Sequence, residues 1–178
     1  MLTGAENLMA RNGNPPLIIT LNIDENAHAF FAEQRRLYFP PHINYLDAHL
    51  TLFHNLPSDV PVIEEVMIDM ATGNPFALRM SAVRHIGKGV VYYMESASLQ
   101  QLHLAMQKRF SHLISGKDAQ KLWPHITVQN KVTANKADML YKKLQAAFEP
   151  FPVTATGFST WLYLNGPWEK VKEYPFSG

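Results

Sequence analysis

The chain has 178 residues, of which 47% are apolar and 17% charged, and its formal net charge is +1. A chain of this size can bury a substantial core within one domain. The near-zero charge argues against a long polyanionic partner, and the absence of cysteine excludes disulfides and thiolate metal sites. The sequence contains neither an apolar run long enough to span a membrane nor a secretory leader, so we expect a cytoplasmic protein with no membrane partner.

The N-terminal part of the chain predicts a lead-in followed by a single domain. Residues 1–16 are polar and contain Gly and Pro, which predicts a flexible segment. The domain is expected to span 17–178. It begins with the β-rich run LIITLNI over 17–23, which predicts a strand.

A helix is expected directly after this strand. Asp24 is suited to cap it, and the proline pair at 40 and 41 ends it. Its apolar spacing predicts a packed face that contains Ala29, Phe30 and Leu37. For the basic pair near its C-terminus, Arg35 and Arg36, we expect solvation at the helix end.

The rest of the chain alternates predicted strands and helices. Further helices are expected from Ser58 or Asp59 to about 71, over 99–113 with Ser98 as the cap, and over 135–148. Strands are expected over 49–53, 76–84, 89–94, 126–132, 153–158, 160–164 and 168–174. This double succession favours an α+β fold with helices outside and a concave antiparallel sheet inside.

One short pattern occurs twice, as His49-Leu50-Thr51-Leu52 and as His125-Ile126-Thr127-Val128. The side-chain period of a strand is two, so each histidine shares a face with the threonine of its own motif. Two imidazoles and two hydroxyls directed into one space are suited to moving protons and binding phosphate oxygens. We therefore predict a site for phosphate chemistry that uses no cofactor and no metal.

Five further residues are candidates for substrate contacts. By strand alternation Phe53 continues the face of the first motif, and Gln129 and Lys131 continue that of the second. Lys131 would offset phosphate charge, whereas Phe53 or Tyr163 would stack a base, although either aromatic can equally be a core residue. Lys88, between two glycines at a hairpin tip, is a candidate or a solvated turn residue.

In these motifs the chain resembles the two-histidine phosphoesterase superfamily, in the branch called 2′-5′ RNA ligase-like or RNA 2′,3′-cyclic phosphodiesterase. The likeness covers about 17–169 and includes YFPP at 38–41, HLTLFHNLP at 49–57, GKGV at 87–90, PHITVQNKV at 124–132, WLY at 161–163 and GPWE at 166–169. The resemblance implies two pseudo-symmetric lobes, with antiparallel sheets lining a central cleft and helices outside. It also implies metal-independent hydrolysis of 2′,3′-cyclic phosphate ends of RNA or nucleotides, or of 2′-5′ linkages.

The resemblance further implies residue roles, with His49 as the acid, His125 as the base, and Thr51 and Thr127 as the phosphate binders. The residue types alone allow the two histidine roles to be exchanged. The expected partner is an RNA end or a small cyclic nucleotide, and no obligate protein partner is evident.

Three other functions fit parts of the same pattern. Ligation would be the reverse reaction through the same groups, and a noncatalytic nucleotide or RNA sensor would use the same cleft. A metal enzyme is disfavoured because the chain has no H-E-x-x-H motif, and because alternation predicts that His49 and His54 point to opposite strand faces.

Overall fold

The computed structural model describes residues 13–178 of the chain. Most of the expected N-terminal segment, residues 1–12, lies outside these described residues. The last part of that segment contacts the domain: the main-chain oxygen of Pro16 accepts a hydrogen bond from the Tyr163 amide at 2.9 Å. The Asn14 side chain also donates to Asp59 at 3.3 Å.

Strands and helices alternate in the order that the sequence predicts. The strands are β1 (Leu17–Ile23), β2 (Leu50–Leu56), β3 (Phe76–His85), β4 (Val90–Glu95), β5 (His125–Gln129), β6 (Phe151–Tyr163) and β7 (Trp168–Pro175). The helices are α1 (Glu25–Tyr38), α2 (Pro61–Met70), α3 (Ala97–Arg109) and α4 (Ala134–Ala147). Short 3₁₀ turns at Pro41–Ile43 and Gly116–Ala119 precede β2 and β5 respectively.

All seven strands form one antiparallel sheet in the order β2-β1-β6-β3-β4-β5, with β7 paired to β6. The two strands at the ends of this order, β2 and β5, nevertheless contact each other, so the sheet curls. This confirms the α+β class with an antiparallel sheet. It also brings together the two strands that carry the His-x-Thr motifs.

Strand β6 joins the two halves of the sheet. The sequence predicted two strands here, over 153–158 and 160–164, but the structure has one continuous strand of 13 residues. Its first residues pair with β3, and the rest pair with β1 and β7. The predicted break between these two strands is absent, because β6 pairs with neighbouring strands along its whole length.

Helix α1 begins as predicted, since the Asp24 side chain accepts a hydrogen bond from the Ala27 amide at 2.9 Å. Its buried face was predicted wrongly. Phe30 and Leu37 are exposed, and the buried residues at spacing of four are Ala27, Phe31 and Arg35. A charged residue therefore lies on the packed face of α1, where it becomes part of the site.

The caps of two other helices differ from the prediction. Helix α2 has Pro61 at its first position and Val60 as its cap, with no side-chain cap bond, and so begins after Ser58 and Asp59. Helix α3 is capped by Ser96, which accepts a hydrogen bond from the Leu99 amide at 3.1 Å, and not by Ser98. Helix α4 starts within one residue of its predicted position.

Residues of all four helices and of the sheet together form one continuous hydrophobic core. Helix α1 packs against β5 and α4 against β3 and β4, whereas α2 contacts α3. Helix α3 lies against β2, where Nε2 of His103 is 3.0 Å from the main-chain oxygen of Leu52. Since a carbonyl oxygen can only accept, His103 is the donor. Among the helices of residues 13–178, none is long and apolar enough to cross a membrane.

Candidate active site

The two motif histidines are held in the same way. Nδ1 of His49 lies 2.7 Å from the main-chain oxygen of Asp47, and Nδ1 of His125 lies 2.7 Å from that of Trp123. In both cases the partner is the carbonyl two residues earlier, which can only accept, so each Nδ1 carries the hydrogen. In each neutral ring, Nε2 is therefore the unprotonated nitrogen.

A tryptophan ring packs against each of these imidazoles. The centroid of His49 lies 4.7 Å from that of Trp168, on β7, and His125 lies 4.6 Å from Trp123. We call the hydrogen bond from Nδ1 to the carbonyl two residues earlier the histidine clamp. The clamp and its aromatic neighbour occur in both halves of the domain. The hydrogen bond to the carbonyl sets the tautomer of each imidazole, and the tryptophan contact restricts the orientation of the ring.

Both histidines are held in the neutral form. Burial lowers the pKa of His49 to about 4, with the nearby charges of Arg35, His125 and His54 acting in the same direction. Burial also lowers the pKa of His125, as do Lys117 and His54. The hydrogen bonds to the carbonyls oppose these effects without overcoming them. At neutral pH the unliganded site therefore holds two uncharged imidazoles.

Both motif strands contain a β-bulge directly after the threonine. The pairing of β1 with β2 shifts between Thr51 and Phe53, and the pairing of β4 with β5 shifts between Thr127 and Gln129. A bulge adds one residue to one strand and so reverses the alternation beyond it. The two motifs therefore share a backbone irregularity as well as a sequence pattern.

These bulges overturn two predicted substrate contacts. Phe53 is 0% exposed and stacks on His103 in the core, with ring centroids 4.6 Å apart. Gln129 is 7% exposed, and its Oε1 has no hydrogen-bond partner among the described residues. Both side chains point inward because the extra residue shifts them from the face that simple alternation gives.

The same irregularity places His54 where Phe53 was expected, and Asn130 where Lys131 was expected to continue the strand. His54 lines a cavity of about 360 Å³ together with Thr51, His125 and Thr127. The prediction that His49 and His54 point to opposite strand faces is therefore wrong, because the bulge between them reverses the alternation. Sequence reasoning missed this third histidine because a bulge has no reliable signature in a single strand.

The motif residues line three adjoining cavities, which we call the motif cleft. The cavity of about 360 Å³ beside His125 shares Thr127 and Asn130 with one of about 240 Å³, and His49 lines this second cavity. His49 also lines a third, of about 560 Å³, beside Trp168. The structure thus brings together both histidines and both threonines of the motifs.

The other predicted contacts are placed unequally. Lys131 and Tyr163 both line the cavity of about 240 Å³ with His49. Lys131 lies beyond the end of β5 and not on the strand, and its backbone is left-handed, with φ of 58°. Lys88 is exposed in the turn between β3 and β4, and it is not among the residues that line the motif cleft.

Arg35 is a site residue that sequence reasoning assigned to solvent. It is 4% exposed and lies 4.0 Å over the Phe39 ring. Its guanidinium donates to the main-chain oxygens of Thr127 at 2.9 Å and Leu46 at 3.2 Å, and to Asn44 Oδ1 at 3.0 Å. Burial lowers its pKa to about 10, still well above neutral. Arg35 is thus a buried cation in the wall of the motif cleft, whereas Arg36 pairs with Glu33 at the surface.

A family model for the 2′-5′ RNA ligase superfamily matches residues 23–167, which include both His-x-Thr motifs. The chain belongs to this superfamily. The family match confirms the resemblance seen in the His-x-Thr motifs. No curated protein matches the chain in sequence.

Solved structures of similar proteins share the fold. The protein TT0787 of Thermus thermophilus aligns with a TM-score of 0.65 at 16% identity, covering 92% of this chain and 98% of that one. Escherichia coli LigT in complex with 3′-AMP aligns with a TM-score of 0.58 at 14% identity, covering 93% of this chain and 99% of LigT. At such low identity these alignments establish the fold alone.

The acidic and imidazole side chains of the described residues do not form a metal centre. Within 13–178, no three His, Cys, Asp or Glu side chains are arranged to hold a metal ion. The cations that line the two cavities beside Thr127 are instead side chains of the protein, namely Arg35, Lys117, Lys121 and Lys131.

Proposed function

We propose that the protein is a metal-independent phosphodiesterase that opens 2′,3′-cyclic phosphate ends of RNA or nucleotides, or cleaves 2′-5′ linkages. The observation that carries this proposal is the duplicated histidine clamp. Both Nδ1 atoms are committed to main-chain carbonyls, so both Nε2 atoms are available for proton transfer in a cleft that also contains Thr51 and Thr127.

Hydrolysis of the cyclic ester needs one proton acceptor and one proton donor. In the proposed reaction His125 takes a proton from water as the new P–O bond forms. His49 gives a proton to the ribose oxygen as its bond to phosphorus breaks. The threonine hydroxyls hold the non-bridging oxygens and stabilise the charge that develops there. This assignment follows the superfamily resemblance, and the duplicated clamp is equally compatible with the exchanged roles.

The acid has to acquire its proton despite a lowered pKa. An anionic phosphate placed between the two imidazoles favours their charged form and so raises the pKa of the acid. Substrate binding would therefore be coupled to proton uptake. Each positioned acid or base is expected to contribute about 10² to 10⁴ in rate.

The aromatic side chains of the cleft support a nucleotide as the substrate. Trp161 and Trp168 line the cavity on the His49 side, and Tyr163 lines the adjoining one. Aromatic rings of this kind stack nucleobases. The complex of LigT with 3′-AMP shows that a protein of this fold has been crystallised with a nucleotide.

Ligation would use the same groups in the opposite direction, since the acid and base exchange duties when a reaction reverses. The superfamily model is named for this activity. The direction of the reaction depends on the relative concentrations of cyclic and linear ends.

The deciding experiment incubates purified protein with 2′,3′-cyclic nucleotides and short RNAs that end in a cyclic phosphate, with and without a chelator. Turnover that survives chelation is expected, and His49→Ala and His125→Ala should each lower it by about 10² or more. Nucleotide affinity of these variants should stay within a few fold. Tight nucleotide binding by the wild type without turnover of any diester would replace this proposal with a nucleotide sensor.

A further inference from the structure

His54 enters the motif cleft through the bulge in β2 and is anchored from behind. Its Nδ1 lies 3.1 Å from Oδ1 of Asp118. Its side chain is 36% exposed, so the ring is open to the cavity that Thr51 and His125 also line. None of these contacts is needed for the two-histidine reaction described above.

Asp118 is a built part of this arrangement. It is 4% exposed and accepts main-chain hydrogen bonds from His54 at 2.8 Å and from Asn55 at 2.9 Å. Although burial opposes it, hydrogen bonding from these two residues lowers the pKa of Asp118, which is therefore a carboxylate. Because a carboxylate only accepts, Nδ1 of His54 carries a hydrogen, and in the doubly protonated imidazolium form Nε2 is a second donor, directed at the cavity and left to meet an anion.

The cavity that His54 lines is electropositive. Lys117 and Lys121 also line it, and Asp118, whose oxygens are already committed, is the one carboxylate among its described lining residues. Lys117 and His54 lie close enough to His125 for electrostatic repulsion to lower the pKa of His125. Positive charge at this end of the cleft is therefore close to the expected position of the reacting phosphate.

The opposite end of the cleft has the reverse balance. The cavity beside Trp168 is lined by Glu25, Asp47 and Glu173, and its lysine, Lys170, pairs with Glu173. An anion is disfavoured there, whereas a neutral base and ribose are accommodated. The motif cleft is thus charged asymmetrically, with acidic groups on the His49 side and basic groups on the His125 side.

We propose that His54, Lys117 and Lys121 form a subsite for a second phosphate of the substrate, one that is bound and not cleaved. This inference rests on the proposed function of the motif cleft. It identifies the substrate class as nucleotides with a phosphate besides the cyclic one, either a terminal 5′-phosphate or the internucleotide phosphate of an RNA end. Asp118 is a positioning residue that holds the His54 ring.

The kinetic test compares three substrates: adenosine 2′,3′-cyclic phosphate, the same compound with a 5′-phosphate, and a dinucleotide that ends in a cyclic phosphate. Wild type is expected to favour at least one of the last two in kcat/KM by about tenfold or more, as charge-assisted hydrogen bonds to phosphate imply. His54→Ala and the double variant Lys117→Ala/Lys121→Ala should reduce that ratio towards one. His54→Gln, which retains a donor, should preserve more of it. Preference for the dinucleotide alone identifies the internucleotide phosphate, and preference for the 5′-phosphorylated compound identifies a terminal one.

A binding experiment separates this inference from the proposed reaction. Titration calorimetry compares adenosine 2′-monophosphate with adenosine 2′,5′-bisphosphate, neither of which needs to be turned over. Tighter binding of the bisphosphate that is lost in the lysine double variant supports the subsite even if no diester is hydrolysed. Lys142→Ala, on the exposed face of α4 where Lys142 pairs with Asp138, is the matched control and should keep the preference. Equal affinity for the two ligands, together with no substrate preference in kcat/KM, would overturn the inference.

Discussion

Arg35 in α1 donates a hydrogen bond through Nη1 to the main-chain oxygen of Thr127 at 2.9 Å, across 92 residues of sequence. The same guanidinium binds Asn44 and Leu46, in the loop that leads to His49. One buried cation therefore ties the approach to the first motif to the strand of the second. This bond explains how two elements distant in sequence keep a fixed relative position.

Replacing Arg35 is accordingly expected to be costly. Arg35→Met keeps much of the side-chain volume but leaves the oxygens of Asn44, Leu46 and Thr127 without this donor, which should reduce the free energy of unfolding by about 2 kcal/mol or more. Urea unfolding of the variant measures this. Arg36→Met is the matched control: it breaks only an exposed pair with Glu33 and should change stability by about 0.5 kcal/mol or less. Equal urea midpoints for the two variants would refute the structural role of Arg35.

The pH dependence of kcat/KM follows from the two lowered histidine pKa values. The productive free enzyme has its acid protonated and its base neutral, a form that is most abundant between the two pKa values. The pKa of His49 is about 4, and that of His125 is also below the ordinary value. We expect a bell-shaped profile whose maximum lies on the acid side of about pH 6.5, the ordinary histidine pKa, measured with a cyclic mononucleotide. A maximum above about pH 8 would contradict this protonation scheme.

Folding stability should depend on pH for the same reason. The pKa values of His49, His103 and His125 are lowered in the folded chain, so the unfolded chain binds more protons as the pH falls below about 6.5. Their stabilising contribution is complete above that pH and is lost below it. Urea unfolding at about pH 7.5 and about pH 5 should show lower stability at the lower pH, and His125→Gln should weaken this dependence. The lowered pKa of Asp118 makes stability depend on pH only below about pH 4, which is outside the range of this comparison.

The two motif threonines should behave as phosphate binders in both ground state and transition state. Thr51→Val and Thr127→Val each remove a hydroxyl with little change in shape, and each should weaken nucleotide binding by about 0.5 to 1.5 kcal/mol. The chemical step should also slow, because the bond strengthens as charge develops. Thr→Ser at the same positions retains the hydroxyl and serves as the control. Unchanged KM and kcat in both valine variants would remove the threonines from the mechanism.

Phe53 and Trp168 offer a direct comparison of a core aromatic with a cleft aromatic. Phe53 is fully buried against His103, whereas Trp168 packs on His49 and lines the cleft. Phe53→Ala should lower stability by about 3 to 5 kcal/mol, as large-to-small core changes do. Trp168→Leu should instead raise KM for a cyclic nucleotide and change stability less. If a folded Phe53→Leu variant had a raised KM and Trp168→Leu had an unchanged KM, Phe53 would be the cleft aromatic and Trp168 would not.

Much of the candidate site could be predicted from the sequence because its reactive residues lie in two short, local motifs. Each His-x-Thr motif alternates polar and apolar residues, and such alternation specifies a strand with one face towards the core whatever the rest of the chain does. Leu50, Leu52, Ile126 and Val128 are all buried, as the alternation predicts. The order of elements along the chain, the α+β class and the superfamily resemblance followed from the same local information.

What the tertiary structure decided was which residues beyond the motifs enter the cleft. A β-bulge depends on the register with a neighbouring strand, so alternation counted along one strand placed Phe53 and Gln129 in the cleft and His54 outside it. The buried face of α1 likewise depends on what packs against it, and contact with β5 turned Arg35 inward. The sequence by itself determined the reactive groups and their strands. The pairing of strands and the packing of helices, which are long-range interactions, decided which other charges surround those groups.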